Sequence, residues 1–177
     1  QAASDGLRAV ARRVADTGGL FEWHALDGSG QGSRSYAGNV GALSAAIFEG
    51  LFGLASNASG LDVRVRLGSL PGGVSVCEPA SGRELGYEYE YAADRRLATL
   101  RYSSNAAGRG RLSVRLPEAG ATASVLLDGQ PAAFQTERVG EDEYVTLTTD
   151  WAPHRLELLV VLAQAAPLVR VVPERVL

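Results

Sequence analysis

The chain has 177 residues, 46% of them apolar, enough for one domain with a real core or a small domain with an appendage. A formal net charge of -3, a pI near 5.4 and interspersed charges leave no basic footprint, which argues against nucleic acid and an anionic membrane as partners. No apolar run reaches the roughly 20 residues of a membrane helix, and the N-terminus lacks the basic and apolar regions of a signal peptide, so a soluble chain is expected, with the cytoplasm favoured.

The single cysteine, Cys77, cannot form an internal disulfide, and the two histidines, His24 and His154, lie far apart. No zinc spacing results, and neither a metal nor a cofactor is expected. All 17 basic residues are Arg, and Met is absent even at position 1, which reads as a processed or excised piece of a longer chain.

In chain order, Leu7, Val10, Ala11 and Val14 recur at helical spacing over 5–16, with Asp5 as N-cap and Gly18-Gly19 as the stop. Leu20 to His24 and the Gly/Ser/Asp-rich stretch up to Tyr36 fit neither regular period and read as a long loop carrying aromatics. From Asn39 to Leu54, the positions Val40, Leu43, Ile47, Leu51 and Leu54 mark one face of a second helix, with Phe48 and Phe52 off that face. Interior glycines cost about 1 kcal/mol each relative to Ala, so Gly41, Gly50 and Gly53 imply close neighbours: a surrounding helical barrel, or strands that the helix crosses.

After Gly60 the period changes to two. Runs at 61–67, 73–77, 83–91, 97–102, 111–116, 122–127, 144–148 and 155–162 predict strands, separated by turns at Pro71-Gly72-Gly73, Ala80-Ser81-Gly82 and Asp128-Gly129-Gln130. With no helices between them, they predict an antiparallel β-sandwich of about eight strands. The fold class is therefore mainly β, with an N-terminal helical segment (1–59) ahead of a C-terminal sandwich (60–177), α+β overall. Residues 167–177 suggest a further edge strand.

Glu22 is the first candidate for chemistry, because partial burial between Phe21 and Trp23 would raise its pKa and suit it to proton transfer. His24 and Asp27 stand close by in sequence. The loop 27–33 lacks the order and the Lys of a phosphate cradle, and Asn57-Ala58-Ser59 matches a glycosylation acceptor by chance. Tyr87, Tyr89 and Tyr91, with Tyr102, could form a platform for sugar rings, but three alternate tyrosines more often pack against the opposite sheet with their hydroxyls at the rim. Trp151, in Asp150-Trp151-Ala152-Pro153-His154, reads as a turn residue and the most exposed aromatic.

Phe21-Glu22-Trp23, the loop to Ser35, the run Tyr36-Ala37-Gly38-Asn39-Val40-Gly41-Ala42 and the helix Phe48-Glu49-Gly50-Leu51-Phe52-Gly53-Leu54 resemble the end of six-hairpin α/α-barrel glycosidases of the α-L-rhamnosidase-like group. Leu112 to Pro117 and Ala123 to Gly129 resemble the paired strands and Asp-Gly turn of their C-terminal sandwiches. The resemblance implies that Glu22 is the general base, with a carbohydrate substrate held by the barrel. It also implies that the matching acid lies in earlier hairpins, since glycoside hydrolysis normally needs two carboxylates.

Trp23, His24, Tyr36 and Trp151 are the candidate substrate-binding residues. A last barrel hairpin without its barrel would expose Phe48, Leu51 and Phe52 and invite self-association through that helix face. The alternative is a stand-alone carbohydrate-binding or structural sandwich using Trp151 or the tyrosines.

Overall fold

The computed structural model describes residues 2–162, apart from 58, 59, 79, 119 and 120. The tail at 167–177 and part of Asn57-Ala58-Ser59 lie outside the described residues. Helix α1 (Ala2–Thr17) begins earlier than expected, so Asp5 sits in its first turn rather than at the cap. It stops at Gly18, whose φ of 71° is the left-handed conformation that ends helices.

The expected loop contains a small hairpin, β1 (Trp23–His24) and β2 (Gly30–Gln31), paired antiparallel. Helix α2 (Ala37–Ala45) continues into a π-helical turn, Ala46–Leu51, and there the second helix ends. Leu54, predicted to close that helix, instead opens strand β3 (Leu54–Asn57). Gly53 makes the break: its φ is 67°, and an added Cβ would lie 1.7 Å from the Arg64 carbonyl oxygen. By contrast, a Cβ on Gly41 would meet nothing within 4 Å, so helical glycines do not make room for crossing strands.

The sandwich follows as β4 (Gly60–Val65), β5 (Gly72–Glu78), β6 (Arg83–Ala92), β7 (Leu97–Ser104), β8 (Arg109–Arg115), β9 (Ala121–Leu127), β10 (Gln130–Pro131), β11 (Gln135–Val139), β12 (Asp142–Asp150) and β13 (His154–Leu162). A six-stranded sheet in the order β10-β9-β13-β7-β6-β5 faces a five-stranded sheet in the order β11-β12-β8-β4-β3. All eight predicted strands are present. Three short strands extend the sandwich, and β3 recruits residues that the sequence groups with the helical segment. The pairing is antiparallel except between β4 and β8, where Val63 stands opposite Leu112 and Val65 opposite Val114 in parallel. The chain leaves the five-stranded sheet after β4, builds β5 to β7 in the other sheet, and returns in the same direction.

Alternation aims Val63, Val65, Leu112, Val114, Val145 and Leu147 at Leu85, Leu100, Leu156 and Leu158, all buried. Each such side chain contributes about 1.5–3 kcal/mol. Tyr87 and Tyr89 join this core and donate from their hydroxyls to the Phe52 and Gly68 carbonyl oxygens at 2.8 and 2.6 Å. Tyr91 is half-buried and donates to Glu118. The tyrosine stripe is therefore core with its hydroxyls satisfied, and burial pushes the phenols of Tyr87 and Tyr89 well up and that of Tyr102 to about 12.

Trp151 corrects the sequence reading: it is 2% exposed and cannot serve as a surface stacking platform. Its indole plugs one end of the sandwich, edge-on to Tyr102 with ring centroids 6.1 Å apart, in space left by the missing Cβ of Gly110. The polar flanks of the turn are satisfied at its rim, by each other and by Asp128. His154 Nε2 meets Asp150 Oδ1 at 2.7 Å and Nδ1 meets Asp128 Oδ2 at 2.6 Å.

Burial of the His154 ring lowers its pKa, but hydrogen bonds and charge from Asp128 and Asp150 outweigh that and leave it raised above 6.5. Asp128 and Asp150 are held below 3.8, first by the Arg155 backbone N–H and by His154 respectively. A raised histidine contributes stability that is full below its unfolded pKa and lost as pH rises through its folded pKa. The lowered carboxylates contribute above 3.8 and lose it as pH falls through their folded values. Thermal melts across pH should therefore fall on the alkaline side of 6.5, and His154→Gln should flatten that limb; an unchanged limb would contradict the clip.

Candidate functional site

The helical segment places Glu22 by backbone pairing with the far side of its loop. Glu22 N–H donates to the Ser33 carbonyl oxygen at 3.2 Å, Tyr36 N–H to that of Leu20 at 3.1 Å, and Arg34 Nε to that of Gly18 at 2.7 Å. The hairpin tip is an Asx turn in which Asp27 Oδ1 accepts from Ser29 N–H at 2.9 Å, a bond that lowers the Asp27 pKa. Arg13 ties this tip back to α1 through the Gly28 carbonyl oxygen at 3.2 Å. Asn39, near the start of α2, donates from Nδ2 to the Phe21 and Glu22 carbonyl oxygens at 2.6 and 3.3 Å. Gly32, with φ of 73°, leaves room for the Glu22 carboxylate and the Trp23 ring, both of which an added Cβ would strike.

The result is a groove of about 590 Å³ between α1, the hairpin and α2. Leu7, Val10, Val14, Phe21 and Leu43 supply apolar walls, and Arg13, Glu22, His24 and Asn39 its polar side chains. Glu22 and His24 thus share one groove. Trp23, 56% exposed, packs over Gly32, while Tyr36, 41% exposed, caps α2 with its backbone and lies against Gly38; neither lines the groove. Trp151 belongs to the sandwich interior and takes no part.

Glu22 is exposed, so the burial expected from Phe21 and Trp23 is not realised. It is the only carboxylate among the described groove residues, and a single carboxylate can accept a proton from water but does not flank a scissile bond. Among the described residues, no group of three His, Cys, Asp or Glu side chains could hold a metal ion.

No described residue from Asp5 to Phe52 is buried, and Val10, Val40 and Phe48 are each more than a third exposed. The expected patch is divided: Phe48 is open, while Leu51 and Phe52 pack on the sandwich core, Phe52 edge-on to Tyr87 at 6.1 Å. Neither the support of Gly32 and Asn39 nor the Asp128–His154–Asp150 clip is legible in the sequence. The signals available were glycine density in the loop and an Asp-Gly turn, neither of which identifies its partner.

No family model matches the chain, and no curated protein matches its sequence. Among solved structures it is similar to a glycoside hydrolase, with 18% identity and a TM-score of 0.42 over 58% of this chain and 16% of that one. It is also similar to a GH127 beta-L-arabinofuranosidase from Geobacillus stearothermophilus, with 18% identity and a TM-score of 0.46 over 70% of this chain and 18% of that one. The chain spans less than a fifth of the length of either.

Proposed function

We propose that this chain is the C-terminal part of a glycoside hydrolase of the six-hairpin type, in which 1–59 completes a helical barrel and 60–177 is an accessory sandwich supporting it. The observation that carries the reading is the contrast between the two parts. The sandwich encloses a full core, whereas no described residue from Asp5 to Phe52 is fully buried, and this stretch turns Val10, Val40, Phe48 and the Glu22 groove outward. Monomers rarely leave such a face uncovered. In this reading the rest of the barrel covers it, and a second copy docks there when the barrel is absent.

Glu22 is then the general base, accepting a proton from the water that attacks the anomeric carbon, and His24 and Asn39 stand where they can orient substrate or base. The general acid comes from outside the chain, so the chain alone is inactive. Assays of this chain and of Glu22→Gln on a panel of aryl glycosides should both be silent. Turnover by the first and not the second would place a complete site within the chain and sink the severed-barrel account.

The closed core of the sandwich also supports a second reading, a self-sufficient carbohydrate-binding or structural module, although the aromatics expected to serve it are internal.

A further inference from the structure

The outer face of the six-stranded sheet carries a shallow groove of about 730 Å³, remote in sequence from Glu22. Its floor is a row of small residues, with Ser75, Gly86 and Ser103 standing opposite one another on β5, β6 and β7. Beside it runs a charged row: Glu88 is opposite Arg101, Arg101 is opposite Arg155, and Asp128 accepts the Arg155 backbone N–H at 2.8 Å.

One feature of this face lacks an internal explanation. A glycine inside a strand is less favourable than Ala, yet Gly86 has no left-handed φ and its nearest added-Cβ contact is an ordinary 3.5 Å. Glycine at such a place leaves room for something to approach the backbone. Arg101 and Arg155 stand side by side, each beside an acidic partner of its own, Glu88 3.9 Å from Arg101 and Glu157 2.7 Å from Arg155.

We propose that this groove binds a neutral oligosaccharide. The row Glu88, Arg101, Arg155, Asp128 mixes carboxylates with guanidiniums, with Glu157 paired to Arg155 and His154 held by Asp128 beside it, so it presents no one-signed field to select an ion. Carboxylates only accept and guanidiniums only donate hydrogen bonds, whereas sugar hydroxyls do both. Neighbouring strands space these groups about 4.8 Å apart along the row. Glu88 and Arg101 are 78% and 58% exposed and only 3.9 Å apart at best, which leaves most of their hydrogen-bonding capacity open. The seryl hydroxyls add donors and acceptors to a flat floor on which a ring can lie. His154, fixed on both ring nitrogens, stiffens the rim.

The site does not depend on Glu22. Affinity electrophoresis of the full chain in gels containing arabinan, galactan, xylan or polygalacturonate tests it. Retardation is expected in at least one of the three neutral gels, unchanged in Glu22→Gln. Arg101→Ala and Gly86→Thr should each weaken it about tenfold, the value of one charge-assisted hydrogen bond, with the melting curve preserved. Glu88→Gln, isosteric and on the surface, serves in place of Gly86→Thr should that variant misfold. No retardation in any neutral gel, retardation confined to polygalacturonate, or retardation that persists in these variants would overturn the proposal.

Discussion

Trp151→Ala is expected to destabilise the chain by about 3–5 kcal/mol, the range for removing a large aromatic from a core. The indole is 2% exposed, edge-on to Tyr102, and seated where Gly110 has no side chain. Its backbone oxygen also accepts the Ser104 N–H at 2.8 Å, so the turn cannot simply swing away to fill the hole. At about 2–4 °C per kcal/mol for a chain of this size, the midpoint of a circular-dichroism melt should drop by about 10 °C. A shift of a degree or two would mean that the tryptophan faces solvent, as the sequence alone suggests.

Gly53→Ala should be the second large effect, and it acts on the joint between the two parts. Left-handed backbone costs an L-residue about 1–2 kcal/mol. The new methyl would also meet the Arg64 carbonyl oxygen at 1.7 Å, a rigid backbone atom rather than a flexible side chain. Overpacking of this kind adds about 1–3 kcal/mol. Relief requires β3 to slide off β4, which breaks the 2.8 Å bond from Arg64 N–H to the Gly53 carbonyl oxygen and frees Phe52 from Tyr87. Urea unfolding should show a loss of about 2–5 kcal/mol. Limited proteolysis should cut between Ala45 and Leu54 much faster than in the parent chain; equal cutting rates would show that the joint does not depend on this glycine.

Where local pattern decides structure, the sequence was readable. Period-two runs such as Val63, Val65 and Leu67, or Tyr87, Tyr89 and Tyr91, predicted the eight main strands because burial on one face is written into alternate residues. Leu54 misled because Val40, Leu43, Ile47 and Leu51 extend to it at helical spacing, while the break at Gly53 is set by contact with β4. Strand β11, Gln-Thr-Glu-Arg-Val, lies on the sheet edge with most residues exposed, so it carries no alternation to detect.

The site was legible in part. Phe21-Glu22-Trp23 marked the carboxylate, but its exposure depends on how the hairpin sits over Gly32. The burial of Trp151 is not legible in the sequence, because a turn flanked by Asp150 and His154 looks like surface. His154 bonds to Asp128, far away in the chain, and no local period records such a partner.

The most direct test of the proposed role replaces Glu22 with Gln in the longer enzyme that would contain this chain and measures kcat on an aryl glycoside the enzyme cleaves. Losing a positioned general base should lower kcat by about 10²–10⁴-fold while the melting curve and substrate binding are preserved. A Glu22→Gln enzyme that keeps kcat within about twofold would contradict the assignment of Glu22 and with it the reading of the helical segment as part of a catalytic barrel.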